Sequence, residues 1–324
     1  MSKWHWLVLI GIAAIGAAFV TGILVGRSRG IPFVETISTE WAIGVYEGTS
    51  PFELEPAPDV VNPVLAAESV TDVKARFVAD PFIVAHEGKY YMFFEVLNAA
   101  TGQGDIGVAV SEDGVRWRYQ QIVLDEPFHL SYPLVFQYDG QWFMVPESWQ
   151  AKGVRLYKAV EFPHKWSYVK TLVRGPYRDS TVFRYQGYWW MFTCYGGGHD
   201  ILRLFYAKDL TGVWVEHPKS PVVEGDANIA RPAGRVLFYN GRIYRIAQDC
   251  EPVYGSAVLA FEITRLTTRD YEEKPVAQNP LLQAGGTGWN AHGMHQLDVI
   301  RKADGRWLAV VDGKGEKRVY GIRY

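Results

Sequence analysis

Hydrophobic positions follow a two-part pattern that recurs five times along the chain. In each copy an apolar run, mostly β-branched, leads into a polar turn with glycine and then a second run rich in aromatic residues, the order typical of a β-hairpin. The turn glycines are separated by 52, 47, 54 and 64 residues: Gly88, Gly140, Gly187, Gly241 and Gly305. This period predicts one four-stranded blade per copy, and hence an all-β, five-bladed β-propeller.

A second motif recurs in step with the hairpins. The dipeptides Asn62-Pro63, Ser220-Pro221 and Asn279-Pro280 precede the turn glycines of repeats one, four and five by 26, 21 and 26 residues. We assign residues 31–324 to the propeller, with the first hairpin starting near residue 78, and expect residues 40–52 to supply a strand that closes the ring, because closure removes exposed sheet edges. A β-sandwich is the alternative, and the repeat period disfavours it.

The amino terminus has a different pattern. The stretch Trp6 to Gly26 carries no full charge and matches the ~20 apolar residues needed to cross a bilayer. It predicts a transmembrane helix within residues 1–30, since the apolar region of a cleaved signal peptide, the alternative, is shorter at ~7–15 residues. We therefore expect a single-pass membrane protein. Positive charges on both sides of the span, Lys3 before it and Arg27 and Arg29 after it, do not settle its orientation, and secretory logic favours an extracytoplasmic propeller.

Composition narrows the function. With 48% hydrophobic and 21% charged residues the chain is a folded protein, and a net charge of -2 disfavours nucleic acid as a partner. Its 12 Trp, 19 Tyr and 16 Phe suit a ligand site that stacks on sugar rings. The two cysteines, Cys194 and Cys250, exclude a disulfide scaffold and a thiolate zinc cluster. A single bridge between them is possible, but buried free thiols are favoured.

The repeats show which polar residues share a place. Eight residues before the turn glycine lie Asp80 and Asp179, and seven residues after it lie Glu95, Glu147 and Gln248. The first strand of a blade lines the central channel, and its hairpin begins and ends at the same face. Carboxylates from different repeats therefore converge on one mouth of the ring.

This convergence suits glycoside chemistry, which uses two carboxyl groups on either side of the scissile bond. We predict Asp80, Asp179 and Glu147 as catalytic residues, with Glu147 as proton donor because it follows an apolar run that can raise its pKa. The alternative is that acidic residues at strand ends cap backbone amides. Glu95, by the same logic, could be a structural partner of Arg231.

Other polar and aromatic residues near these strand ends are predicted to bind the substrate. Aromatic residues of a propeller mostly pack between blades, so Trp149 and Trp289, which lie in loop-like sequence, are the better stacking candidates. The predicted binding set is Glu95, Ser131, Tyr132, Trp149, Arg231, Gln248, Asp249, Trp289, His292 and His295.

Metal and cofactor motifs give little signal. His292 and His295, with Asp298, have a metal-ligand spacing, but an odd step along a strand turns the two histidines to opposite faces. The sequence also has no Walker-type glycine-rich loop and no dinucleotide fingerprint. We therefore predict no metal and no cofactor.

Several long motifs resemble a known family. The segments FVADPF, GDIGVAVSEDGVRW, HLSYPLVFQYDGQWFMVPE, DSTVF and GRIYRIAQDC are similar to the propeller domain of plant glucosamine inositolphosphorylceramide transferases and their bacterial relatives, over roughly residues 40–312. That domain is itself similar to glycoside hydrolase families 43 and 32, where two aspartates and a glutamate surround the channel. The resemblance matches Asp80 to the first aspartate and Asp179 to the second. Glu147 departs from the pattern, because those hydrolases take the glutamate from a blade after the second aspartate.

The resemblance implies a glycan or glycolipid ligand. In the plant proteins the propeller is joined to an exostosin-like glycosyltransferase domain, for which we find no room in these 324 residues. Two hypotheses follow: a membrane-anchored carbohydrate-active enzyme, or a non-catalytic glycan-binding module that assists a partner glycosyltransferase. A protein-interaction scaffold is a third, because a propeller fold alone does not fix function.

Overall fold

The computed structural model describes residues 35–320 and, in the amino-terminal segment, His5, residues 15–18 and Val20, which are helical. Two compact units are present: Met1–Thr39 with Glu316–Tyr324, and Glu40–Gly315. Within the described ranges, no helix is long and apolar enough to span a membrane. The predicted span from Trp6 to Gly26 lies, apart from residues 15–18 and 20, outside the described residues, and the predicted boundary at residue 30 stays a prediction.

The described residues form five antiparallel blades, as the repeats predicted, three of them with four strands and two with five. Two strands precede the first hairpin of the repeats: β1 (Glu35–Ser50) and β2 (Glu53–Pro56). Blade one contains β3 (Ala75–His86), β4 (Lys89–Asn98), β5 (Gly104–Ser111) and β6 (Arg118–Leu124). Blade two contains β7 (Ser131–Tyr138), β8 (Gln141–Glu147), β9 (Gly153–Glu161) and β10 (Lys165–Arg174).

Blades three and four each carry one extra short strand. Blade three contains β11 (Tyr177–Tyr185), β12 (Tyr188–Tyr195), β13 (Ile201–Ala207), β14 (Val215–Glu216) and β15 (Val223–Glu224). Blade four contains β16 (Leu237–Tyr239), β17 (Arg242–Asp249), β18 (Ala257–Leu266), β19 (Tyr271–Pro275) and β20 (Leu282–Gln283). The last strands are β21 (Leu297–Arg301) and β22 (Trp307–Tyr320), and short 3-10 helices lie at Ala67–Ser69, Trp149–Ala151 and Gly288–Asn290.

The hairpin turns explain the repeated glycines. In blades one to four the turn has two residues, both with positive φ, for example Asn240 at 49° and Gly241 at 74°. This geometry is a type I′ turn, whose twist matches that of the flanking strands and which glycine adopts without steric cost. The predicted hairpins are therefore confirmed at their turns.

The amino-terminal strands close the ring. The sheet order of blade five is β2-β1-β22-β21, so residues before the first repeat supply two strands rather than the one expected. Asn62 holds the backbone of Val45 in β1 through bonds of 2.9 and 3.1 Å, and Asn279 holds Ala260 in β18 through bonds of 2.7 and 2.8 Å. The Asn-Pro motif thus marks the third strand of a blade, which is how β1 is built into blade five.

Five apolar clusters fill the spaces between neighbouring blades. One of them packs Ile43 and Val45 of β1 against Met92 and Phe94 of blade one. Burying each such side chain contributes roughly 1.5–3 kcal/mol. The closing strand is therefore fixed both by its hydrogen bonds in blade five and by its packing on blade one.

Both cysteines are buried free thiols, as favoured from the sequence. Burial raises the pKa of Cys194 to about 12 and that of Cys250 to about 11. Because both thiols are free, the alternative of a Cys194 to Cys250 bridge is not realised in the structure.

Candidate functional site

A cavity of about 200 Å³ lies where the first strands of the blades begin. It gathers seven of the predicted site residues: Asp80, Glu95, Ser131, Glu147, Trp149, Arg231 and His295. Six further lining residues were not predicted: Trp41, Phe77, Ala79, His129, Arg178 and Tyr254. Carboxylic, cationic and aromatic side chains thus surround one small volume.

A repeated backbone irregularity aims the aspartates. Asp80, Tyr132 and Asp179, which share one position of the repeat, have φ values of 54°, 46° and 47°, and the strand register shifts at each of them. A β-bulge of this kind turns a side chain away from its regular direction, and such features are common beside active sites. The bulge therefore places polar residues at the mouth without ending the strand.

Asp80 belongs to a charged triad. The imidazole of His295 lies between two carboxylates, with Nε2 3.2 Å from Asp80 Oδ1 and Nδ1 2.8 Å from Asp312 Oδ2. Burial opposes the charged ring, but the two carboxylates outweigh it and raise the pKa of His295 to about 10. His295 is therefore an imidazolium at neutral pH, and it faces the Asp80 carboxylate.

Asp179 is held in a buried ion pair. Its Oδ2 accepts a very short hydrogen bond from Arg231 Nε and one of 2.9 Å from Gln248 Nε2. Arg231 also lies 2.8 Å from His199 Nδ1, and its guanidinium stacks on the Tyr254 ring at 5.0 Å. The alternative that Glu95 pairs with Arg231 is wrong, because Asp179 takes that place.

Glu147 has the properties of a proton donor. Its Oε1 is buried and has no hydrogen-bond partner among the described residues. Burial is the largest influence on the carboxyl, followed by the nearby Asp179 carboxylate, and together they raise the pKa of Glu147 to about 8 against the opposing effect of Arg231 and Arg178. The group is therefore largely protonated at neutral pH.

Glu95 pairs with His129. Its Oε1 lies 3.3 Å from Nε2 of His129, whose Nδ1 accepts a hydrogen bond of 3.0 Å from the Gly104 amide. Burial, followed by the Asp80 and Glu147 carboxylates, raises the pKa of Glu95 well above its usual value, while burial lowers the pKa of His129. With one ring nitrogen accepting, the other holds the proton and faces the carboxyl.

Two predicted binding residues lie behind the cavity. Tyr132 is fully buried, with its ring edge-on to Phe82 and its hydroxyl bonded to Thr181 at 2.7 Å and to Gly234 at 3.0 Å, so its phenol is satisfied in the channel core. Gln248 reaches the site only through Asp179.

Three further predicted residues do not line the cavity. Trp289 packs into blade five, where a Cβ at Gly44 or Gly313 would come within 2.5 or 2.6 Å of the indole. Asp249 accepts a 2.9 Å bond from Asn228, and the backbone amide of His292 donates to Lys314 at 2.8 Å. Loop-like sequence did not reveal that Trp289 fills space left by glycines of neighbouring strands.

Of the residues missed from the sequence, Trp41 lies on the closing strand, His129 and Tyr254 lie in loops, and the other three lie on first strands of the repeats. Trp41 of β1 stacks on His295 at 4.0 Å, and Arg178 lies 4.5 Å over the Trp149 ring. Arg178 directly precedes Asp179 in the sequence. Its position next to a predicted site residue was the signal that could have identified it. Tyr254, in the loop from β17 to β18, gave no such signal.

The described residues contain one group of metal-ligand type, Asp80, His295 and Asp312, whose atoms lie within 4.8 Å of one another. A metal needs donor atoms that converge on one point at about 2.0–2.2 Å. Here the two nitrogens of one ring each face a different carboxylate, which fits a protonated imidazole instead. His292 is not part of this group.

The five blades define the class of fold, a five-bladed β-propeller, and solved glycoside hydrolase structures share it. A glycosyl hydrolase structure from Bacteroides ovatus matches with a TM-score of 0.63 and 10% identity, over 85% of this chain and 94% of that one. A thermostable family-43 glycoside hydrolase matches with a TM-score of 0.55 and 16% identity, over 81% and 93%. At these identities the likeness concerns the fold.

The chain belongs to the family described as "Glucosamine inositolphosphorylceramide transferase 1, N-terminal", whose model matches residues 35–314. Glucosamine inositolphosphorylceramide transferase 1 of Oryza sativa subsp. japonica is 38% identical over 332 aligned positions, which cover 93% of this chain and 45% of that protein. The chain thus spans less than half of the length of this curated relative. The family resemblance read from the sequence motifs is confirmed.

Proposed function

We propose that this protein is a carbohydrate-active propeller whose cavity takes a glycan or glycolipid headgroup and acts on it by acid-base carboxylate chemistry. The observation that carries the proposal is Glu147, a buried carboxyl with an unpartnered oxygen and a pKa of about 8. A general acid must be protonated before reaction and must reach the reacting atoms, and Glu147 combines a pKa of about 8 with a position in the cavity wall. The family name and the hydrolase-like fold support a sugar substrate.

Asp80 is the matching base or nucleophile. Its carboxylate lines the cavity and lies 3.2 Å from Nε2 of His295. A protonated acid and an ionised carboxylate in one cavity is the arrangement that glycosidic bond cleavage or transfer requires.

Asp179 is best placed as a partner of this pair. Oδ2 of Asp179 accepts hydrogen bonds from both Arg231 and Gln248. The role of Asp179 is therefore to raise the pKa of Glu147 and to hold Arg231 at the cavity wall. Arg231 and Arg178 then present positive charge to hydroxyl or phosphate oxygens of a headgroup. The Trp149 indole, stacked under Arg178, offers a face for a sugar ring.

The second candidate is a non-catalytic glycan-binding module that assists a partner glycosyltransferase. The specific observation that favours it is the Asp179–Arg231 ion pair, which neutralises one of the three predicted catalytic carboxylates. The matched region covers 45% of the rice relative. The name of that relative, a transferase, supports an association with glycosyl transfer.

We also propose a single-pass membrane protein with an extracytoplasmic propeller. The apolar run from Trp6 to Gly26 supports the anchor. Carbonate-resistant membrane association and protease accessibility of the propeller in intact cells test it. Release by carbonate, or protection from protease until the cells are lysed, would contradict the anchor or the orientation respectively.

The test of function is turnover. The full chain is incubated with a panel of glycans, glycolipids and aryl glycosides, alongside Glu147→Gln and Asp80→Asn. We expect product release by the wild type and a loss of 100-fold or more in either variant, in keeping with the roughly 10²–10⁴-fold contribution of general acid-base catalysis. Asp139→Asn, in the exposed turn between β7 and β8, is the matched control and keeps full activity. Binding without turnover would support the second candidate instead.

A further inference from the structure

One buried carboxylate supports the cavity without lining it. Asp312, in β22, is fully buried and is not a lining residue. Its Oδ1 accepts hydrogen bonds of 3.0 Å from the backbone amides of His295 and Gln296. Its Oδ2 accepts a 3.0 Å bond from the amide of Asp80 and lies 2.8 Å from His295 Nδ1.

These contacts connect three parts of the site. The bond to the Asp80 amide fixes a residue with a φ of 54°, a conformation that is sparsely populated by residues other than glycine. The same carboxylate makes an ion-pair contact with His295 Nδ1, and Nε2 on the other side of the ring lies 3.2 Å from the Asp80 carboxylate. One side chain thus determines both where the Asp80 backbone lies and what its carboxylate faces.

We propose that Asp312 is a positioning residue, which fixes the bulge at Asp80 and holds His295 so that the ring orients the Asp80 carboxylate in the cavity. The proposal rests on the function proposed for Asp80. The strands that close the propeller then also help to build the site. Asp312 lies on β22, which pairs with the amino-terminal strand β1, and Trp41 of β1 packs against the His295 imidazole with ring centroids 4.0 Å apart.

Few groups besides Asp312 lie close enough to His295 to influence the charge of its imidazole ring. Asp80 from β3, Asp312 from β22, Tyr254 from the loop after β17, and Trp41 from β1 lie against the ring. The Glu95 carboxyl also interacts with the His295 charge, and burial raises the pKa of Glu95 well above its usual value. Of these groups, Asp312 makes the shorter of the two ion-pair contacts, and removing its charge should be felt first at the imidazole.

The experiment is a nitrogen-15 NMR titration of the histidine rings in the full chain. His295 is assigned by the signal lost in His295→Gln. In the wild type both ring nitrogens are expected to carry protons at pH 8, and in Asp312→Asn the pKa of His295 should fall by about two units or more, toward its ordinary value. Asp249→Asn is the control and should leave the signal unmoved.

A neutral His295 at pH 8 in the wild type would overturn the proposal without any variant, which keeps the test decisive if Asp312→Asn fails to fold. An unchanged His295 titration in a folded Asp312→Asn protein would overturn it as well. With a glycan substrate in hand, the acid limb of the pH-rate profile should move to higher pH in Asp312→Asn and in His295→Gln, and by the same amount in the double variant. Additive shifts would contradict action through His295. A chain without turnover but with the expected titration would refute the proposed function and leave the positioning of Asp80 supported.

Discussion

Replacing Asp179 by Asn should destabilise the fold strongly, although the change only replaces one carboxylate oxygen by an NH2 group. The Asp179 side chain is 1% exposed and its partner Arg231 is 7% exposed, so the substitution leaves a guanidinium buried beside an uncharged group. Removing one partner of a buried ion pair costs about 3–5 kcal/mol. The hydrogen bond from Gln248 is weakened at the same time, because its acceptor loses its charge.

Urea unfolding of the full chain measures this cost. With a slope of roughly 3 kcal/mol per molar urea, 3 kcal/mol lowers the midpoint by about 1 M. Asp249→Asn makes the same chemical change at a half-buried position bonded to Asn228, and should cost about 1 kcal/mol or less. Equal midpoints for the two variants would refute the argument that Asp179 and Arg231 depend on each other.

Three further predictions concern titration, thiols and ring closure. The folded-state pKa of Glu147 lies above its ordinary value of 4.5, so its contribution to stability is full below pH 4.5 and is lost as the pH rises through about 8. Glu147→Gln should therefore gain stability over the wild type between pH 5 and pH 8, by up to about 1.4 kcal/mol per pH unit, and parallel urea midpoints would contradict this. Cys194 and Cys250 should resist a thiol reagent in the native protein and both react in denaturant, and reaction of only one would reveal an exposed thiol. A chain that starts after Pro56 should fail to fold by circular dichroism, because it lacks two strands of blade five, and a native-like melting transition would show that closure is dispensable.

The sequence predicted the ring because its signals are local. A type I′ turn needs glycine at a fixed position, so Gly88 and its counterparts appear at regular spacing. The same regularity assigns Asp80, Glu147 and His295 to one mouth of the ring, and all three line the cavity there. The bulge at Asp80 and Asp179 turns these side chains toward the mouth without ending the strand, which explains how acidic residues are placed so close to the channel.

What the sequence did not predict depends on partners far along the chain. The pairing of Arg231 with Asp179, 52 residues away, is set by the distance between blades and leaves no local pattern. Trp289 looked like a loop residue, yet it fills the space beside Gly44 and Gly313, which lie on strands from opposite ends of the chain. Trp41 was missed as a site residue because its strand joins the ring from outside the repeats.

The central claim is that the cavity holds a proton donor at neutral pH, and infrared difference spectroscopy of the wild type against Glu147→Gln tests it most directly. We predict a protonated carboxyl C=O band at pH 6 that is present in the wild type, missing in the variant, and lost as the pH rises through about 8. A Glu147 carboxyl that is already ionised at pH 6 would contradict the account.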